Sequence, residues 1–243
     1  MTPPGPATST GSAAGARPST SRAATGRNLA ALAARAWRVR VVGAQHVPTE
    51  GPVLLAANHT AFLDGLLLAA AAPRPVHVLA GSELFVPPLD RLLRGTGQIE
   101  LHHDRADRSA LRTAGNVLAR GGVVGIFPEA HRGAGDVQHV RHEAAYLVAH
   151  TGAVLVPVAI LGARPPGGGR DALPRLRARI DVVIGEPVDV RVDGDPRRRA
   201  VLARSGERIR QVLADHVRAA RASTGQNLPG PLPDPSYPTR SDT

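Results

Sequence analysis

Apolar positions along the chain switch between two spacings: short unbroken runs suited to buried strands, and three-to-four-residue repeats suited to helices. Val39–Gly43 and Val53–Ala57 read as strands, a short helix follows over Leu63–Ala72, and a further strand lies near Val76–Leu79. Asp107 is placed to cap a helix whose Leu111, Ala114 and Leu118 share a face, and Gly121 and Gly122 end it. Val123–Phe127 returns as a buried strand, and a helix from about Val140 to His150 leads into a strand over Val154–Leu161. Arg179–Ile184 gives a late strand, and the last helix runs from about Pro196 to Ala222 with Val201, Ile209, Leu213 and Val217 inward. Strands separated by helices imply an α/β layered domain, with a mixed, largely parallel sheet flanked by helices. Ligands of such sheets collect where strands end and helices begin.

The ends of the chain read differently. Residues 1–26 hold Pro, Gly, Ser, Thr and Ala with scattered Arg and no acid, too little apolar surface to offset the entropy of ordering, and are expected to form a disordered arm. From Ser223 onward the run Pro229–Pro235 blocks helix, so 223–243 reads as a disordered tail and 27–222 as one domain. Over Asn28–Arg40, Leu29, Leu32, Ala36 and Val39 fall at helical spacing beside Trp37. That stretch fits either a helix lying on a membrane surface or one packed on the core.

Charge and composition narrow the partners. The net charge of +10 favours an anionic partner such as membrane phospholipid, nucleic acid or a phosphorylated substrate. Every basic side chain is Arg and none is Lys, which fits the codon bias of a GC-rich genome as well as it fits selection for charge. Aromatics make up only 2% of residues, leaving little to stack on bases, so no nucleic acid is expected. With no cysteine, disulfides, thiol nucleophiles and Cys-bound metals are excluded. Apolar runs such as Leu66–Pro73 fall short of the roughly 20 residues that span a bilayer, and the N-terminus lacks the apolar middle of a signal peptide. The expectation is a cytoplasmic protein, peripheral on the inner face of the membrane.

His followed five positions later by Asp occurs three times: His59 with Asp64, His102 with Asp107, and His131 with Asp136. Five residues along a straight helix put two side chains on different faces, so such a pair meets only where His sits in a turn before a helix and the chain wraps back. His59 and Asp64, directly after the Val53–Ala57 strand, have that setting. Asp64 would then fix the imidazole tautomer and leave the other ring nitrogen to take a proton from a hydroxyl. The plainer reading is a His and an Asp at a helix start. A second group, Phe127-Pro128-Glu129-Ala130-His131-Arg132-Gly133, leaves a buried strand with a carboxylate and a guanidinium able to hold a polyol and a phosphate. Alone it reads equally well as a loop ion pair. His131, His139 and His142 lie close in sequence without the spacing of a zinc motif, so no metal is expected.

In order, these segments resemble the glycerolipid acyltransferases, the family of glycerol-phosphate and lysophosphatidic acid acyltransferases, over about residues 35–190. Asn58-His59 with Asp64 is similar to the family's H-x-x-x-x-D block. Gly97–His103 is similar to its second block, Phe127–Arg132 to its F-P-E-G-T-R block, and Val156–Ile160 to its fourth. The resemblance implies His59 as general base oriented by Asp64, an acceptor site using Glu129, Arg132, His103 and Arg105, and Pro157 near the acyl-donor groove. It also implies a reaction without cofactor, in which a fatty-acyl group passes from acyl-CoA or acyl carrier protein to a hydroxyl of a lysophospholipid or related lipid acceptor at an anionic membrane surface.

Departures cluster on the acceptor side. His103 stands where the family has Arg, with Arg105 two residues later, Ala130 and His131 replace Gly and Thr, and Glu143 replaces a common Gly. Acyl transfer is therefore better supported than glycerol phosphate as acceptor. Two rivals remain, a non-catalytic lipid-binding homologue and a basic nucleic-acid-binding protein resting on Arg175-Arg177-Arg179 and Arg197-Arg198-Arg199.

Overall fold

The computed structural model describes residues 19–102, 107–129, 131–191, 193–195 and 198–233. Strand β2 (Val53–Ala57) is apolar at every position because it lies mid-sheet with helices on both faces. It pairs in parallel with β5 (Val123–Ile126) on one side and β6 (Val154–Leu161) on the other. Beyond β5 lie β3 (Val76–Gly81) and β4 (Ile99–Leu101), and beyond β6 lie β7 (Arg179–Ile184) and β1 (Arg38–Val42), giving a seven-stranded sheet. Antiparallel pairing joins β6 to β7 and the other named pairs are parallel, so the sheet is mixed and mostly parallel, as the apolar pattern implied.

Alternation along β2 sorts the core into two layers. Leu54 and Ala56 pack toward α4 (Arg108–Ala119), α5 (His142–Thr151) and α6 (Arg199–Thr224). Val53, Leu55 and Ala57 pack toward α1 (Thr20–Ala34) and α2 (Asp64–Ala71). The inward positions expected for the last helix, Val201, Ile209, Leu213 and Val217, are all buried on α6. Asp107 caps α4 as its position suggested, accepting from the backbone of Ser109 and Ala110. Helix α3 (Leu89–Gly95) and the three-residue β4 were not expected, since neither is long enough to establish a period.

Residues 1–18 and 234–243, most of the two stretches expected to be disordered, lie outside the described residues; the parts that are described are ordered. Helix α1 begins at Thr20, inside the stretch read as a disordered arm, with Ser19 as N-cap. Its buried face is Ala23, Gly26, Ala30 and Ala34, whereas Leu29 and Leu32 from the expected stripe are exposed. Small side chains win that face because the helix lies close: a Cβ on Gly26 would sit 2.8 Å from Thr96 Cβ. The helix stops at Ala34, and Trp37 donates from Nε1 to the Pro174 carbonyl at 3.2 Å. At the other end α6 continues to Thr224, Leu228 packs on the core, and Gly230 accepts from the buried Arg164. Among the described residues no helix is long and apolar enough to cross a membrane.

Candidate active site

The carboxyl end of β2 is held by a side chain acting as backbone. Buried Asn58 accepts from the Ile160 N–H at 2.7 Å and donates to the Ile160 carbonyl at 3.2 Å, clamping β2 to β6 at the point where the chain leaves the sheet. The next residues wrap around Asp64. Its Oδ2 accepts from the backbone of Thr60 at 2.6 Å and Ala61 at 2.8 Å, which closes the turn, and from His59 Nδ1 at 2.9 Å. A pair that a straight helix would separate therefore meets. With Nδ1 donating to a fully buried carboxylate, Nε2 is left as the basic nitrogen.

The segment after β5 fixes His59 from the other side. Phe127 stacks on the imidazole with centroids 4.3 Å apart, Glu129 Oε1 accepts from the His59 N–H at 2.8 Å, and the Gly133 N–H donates to the His59 carbonyl at 2.9 Å. Ring, peptide N–H and carbonyl are all held, so little orientation remains to be lost on binding.

His59 opens onto an apolar cavity of about 260 Å³ between α1, α2, α3 and the ends of β3 and β5, lined by Leu29, Leu66, Val78, Leu93 and Phe127 among others. Its mouth, at Phe62, Glu83, Leu84, Arg132 and Arg170, merges into a more open polar recess of about 680 Å³ that adds Ser82, His131 and Asp171. Arg132 enters from the β5 side, pairs with Asp171 at 2.8 Å and lies over the Phe62 ring.

Two expected site residues fall elsewhere. Glu129 lines neither cavity, and its carboxylate turns back to the His59 backbone N–H. Pro157 is buried on β6 beside Gly185 and His216, on the α6 face of the sheet, because strand alternation sends it away from the α1–α2 layer. His103 and Arg105 lie outside the described residues.

The second His-Asp pair corrects the argument that setting alone singles out the first. His102 and Asp107 also bridge a strand end and a helix start, with Nδ1 to Oδ2 at 2.9 Å. Environment separates them. Burial alone would push the Asp107 carboxyl upward, but hydrogen bonds from Ala110, Ser109 and His102 outweigh it and hold the group well below the usual carboxylate range, as an ionised helix cap. His102 lines neither cavity, whereas His59 faces the apolar one.

An acyltransferase family model matches residues 38–161, just over half of the chain, a span that holds His59, Asp64, Phe127, Glu129 and Arg132. The chain belongs to the glycerolipid acyltransferase family. It is 28% identical over 153 residues to the 1-acyl-sn-glycerol-3-phosphate acyltransferase of Bacillus subtilis (strain 168), covering 62% of this chain and 73% of that one. It is 29% identical over 226 residues to the lyso-ornithine lipid O-acyltransferase of Rhizobium meliloti (strain 1021), covering 80% and 75%. The crystal structure of the 1-acyl-sn-glycerophosphate acyltransferase of Thermotoga maritima superposes with a TM-score of 0.59 at 23% identity, covering 83% of this chain and 79% of that one, and shows the shared fold.

Within this family member, burial pushes the Glu129 carboxyl up to about 7, against the lowering effect of N–H groups from His59 and Val137. Val137 donates from a positive φ of 57°, strained for a β-branched residue. A carboxyl whose folded-state pKa is raised favours folding below its unfolded value near 4.5, and that contribution is lost as pH rises through about 7. Between pH 5 and 8 wild type should therefore lose on the order of 1–3 kcal/mol through this group, a slope that Glu129→Gln lacks. Urea unfolding of both proteins at the two pH values checks it, and parallel pH dependences would contradict the assignment.

Arg164 was not anticipated. It is the bulkiest fully buried side chain among the described residues, and its guanidinium donates to the carbonyls of Gly168 at 2.6 Å, Gly133 at 3.0 Å and Gly230 at 2.5 Å. An Arg in an Arg-rich loop carries no sequence signal of burial.

Proposed function

We propose that this chain transfers a fatty-acyl group from a thioester, acyl-CoA or acyl carrier protein, to a hydroxyl of a lysolipid acceptor. The observation that carries the reading is His59, with Nδ1 bonded to buried Asp64, on the wall of an apolar cavity. His59 takes the hydroxyl proton as the oxygen attacks the thioester carbonyl, the C–S bond breaks, and the proton passes to the departing thiolate. Oxygen attacks carbon directly, and no acyl-enzyme forms. Leu66, Val78, Leu93 and Phe127 give the fatty chain an apolar wall, and Arg132, paired with Asp171, shapes the acceptor recess at the mouth. His103 and Arg105 belong to this acceptor proposal on the family pattern alone. The two curated relatives are named for different acceptors, a glycerol phosphate and an ornithine lipid, so membership of the family leaves the head group open. Mass spectrometry of lipids in cells expressing wild type and His59→Ala tests the reading: a diacyl lipid rising at the expense of its lysolipid only with wild type is expected, and identical lipid profiles would contradict it.

The substrate membrane meets the exposed apolar side of the cavity. Leu29, Phe62 and Leu92 line the cavity and are at least 40% exposed, Leu32 lies one turn from Leu29, and Arg27 and Arg35 flank them on the α1 side. An apolar rim with basic neighbours suits a bilayer surface, each Arg adding about 1 kcal/mol beside anionic lipid. Leu29→Ser with Leu32→Ser should lower co-sedimentation with phosphatidylglycerol vesicles several-fold, and high salt should release wild type. Undiminished binding by the double variant would assign the contact to another surface.

A further inference from the structure

We propose that the acceptor's head group is a zwitterion, an ammonium close to an anionic group, and not a phosphate monoester. This rests on the acyl-transfer reading above and concerns the polar recess into which the reaction cavity opens. The charged residues described on its wall are two cations, Arg132 and Arg170, and two anions, Glu83 and Asp171. Arg132 is already paired with Asp171 at 2.8 Å, and with 7% of its side chain exposed it has little freedom to turn to another anion. What remains for a ligand is one carboxylate and one guanidinium: among the described residues, neither Glu83 nor Arg170 has an ion-pair partner.

Glu83 is aimed by its neighbour. Its carboxylate lies over Gly81 at the end of β3, so close that a Cβ there would fall 2.3 Å from Oε2, and this brings the charge over the shared mouth of the two cavities. Among the described residues, a phosphate dianion entering the recess would meet Glu83 and Asp171 with only Arg132 and Arg170 as guanidinium groups to offset them, a poor exchange for its hydration. A zwitterion meets complementary charges. Its ammonium pairs with Glu83 and its anionic group with the forked donors of Arg170, while the chain-bearing end points toward His59.

The test uses the purified full chain, one acyl thioester donor, and lysolipids of equal chain length bearing a phosphate monoester, an aminoethyl phosphodiester or an α-amino-acid head group. Wild type should favour the zwitterionic acceptors in kcat/KM by about tenfold or more, and Glu83→Gln should reduce that preference about tenfold, mainly through KM, as the loss of one charge-assisted contact predicts. Preference of wild type for the monoester, or a preference that Glu83→Gln leaves unmoved, would overturn the inference while leaving acyl transfer standing. Transfer to none of the acceptors would instead contradict the acyl-transfer reading itself.

Discussion

Replacing His59 with Ala should lower the rate of acyl transfer by about 10² to 10⁴ with little loss of stability. The imidazole contributes through Nε2, since Nδ1 is committed to Asp64 and the ring face to Phe127. Its loss removes the base but leaves the turn intact, because Thr60 and Ala61 still donate to Asp64. His102→Ala is the informative control. It removes a hydrogen bond of the same length, yet Asp107 keeps its contacts to Ser109 and Ala110 and no cavity loses a wall, so activity should stay close to wild type. A large loss from His102→Ala and none from His59→Ala would reverse the assignment. Matched circular dichroism spectra exclude misfolding as the cause.

Arg164→Met should cost stability on the order of 3 kcal/mol or more, because methionine leaves three carbonyls without the charged donor that serves them. For a chain of this size that lowers Tm by roughly 6–12 °C. Those carbonyls belong to the loop carrying Arg132, the loop carrying Arg170 and Asp171, and the C-terminal segment, so the same change should loosen the Arg132–Asp171 pair and raise KM for the acceptor more than for the donor. Arg164→Lys should recover only part of the loss, since one ammonium cannot reproduce a planar fork. A melting temperature of Arg164→Met within a degree or so of wild type would show that the guanidinium is dispensable.

These expectations also mark what could be read from the sequence. The sheet is legible because its strands are unbroken apolar runs, and α6 because Val201, Ile209, Leu213 and Val217 keep one face through more than four turns. His59 and Asp64 were legible as a pair because the run Val53–Ala57 ends immediately before them. Helix α1 was misread because its buried face is Ala and Gly, chosen for close approach to Thr96, while its leucines point outward. The family block names Glu129 for the acceptor, and which way its carboxylate turns is not legible in sequence, because it depends on the N–H groups that the fold brings to it, here those of His59 and Val137. Pro157 lies in the expected strand on the opposite face, a matter of register that a single residue decides. Arg164 and Glu83 carried no signal, because their roles arise from loops that meet only in the folded chain.

The most direct test of the central claim is the stoichiometry of one reaction. Purified full-length protein is incubated with a labelled fatty-acyl thioester and a panel of lysolipids, and released thiol, new ester and protein-bound label are counted together. The account predicts one ester formed in a lipid for each thiol released, no label on the protein, and loss of both products in His59→Ala. Label accumulating on the protein, or thiol released with free fatty acid as the sole acyl product, would contradict it.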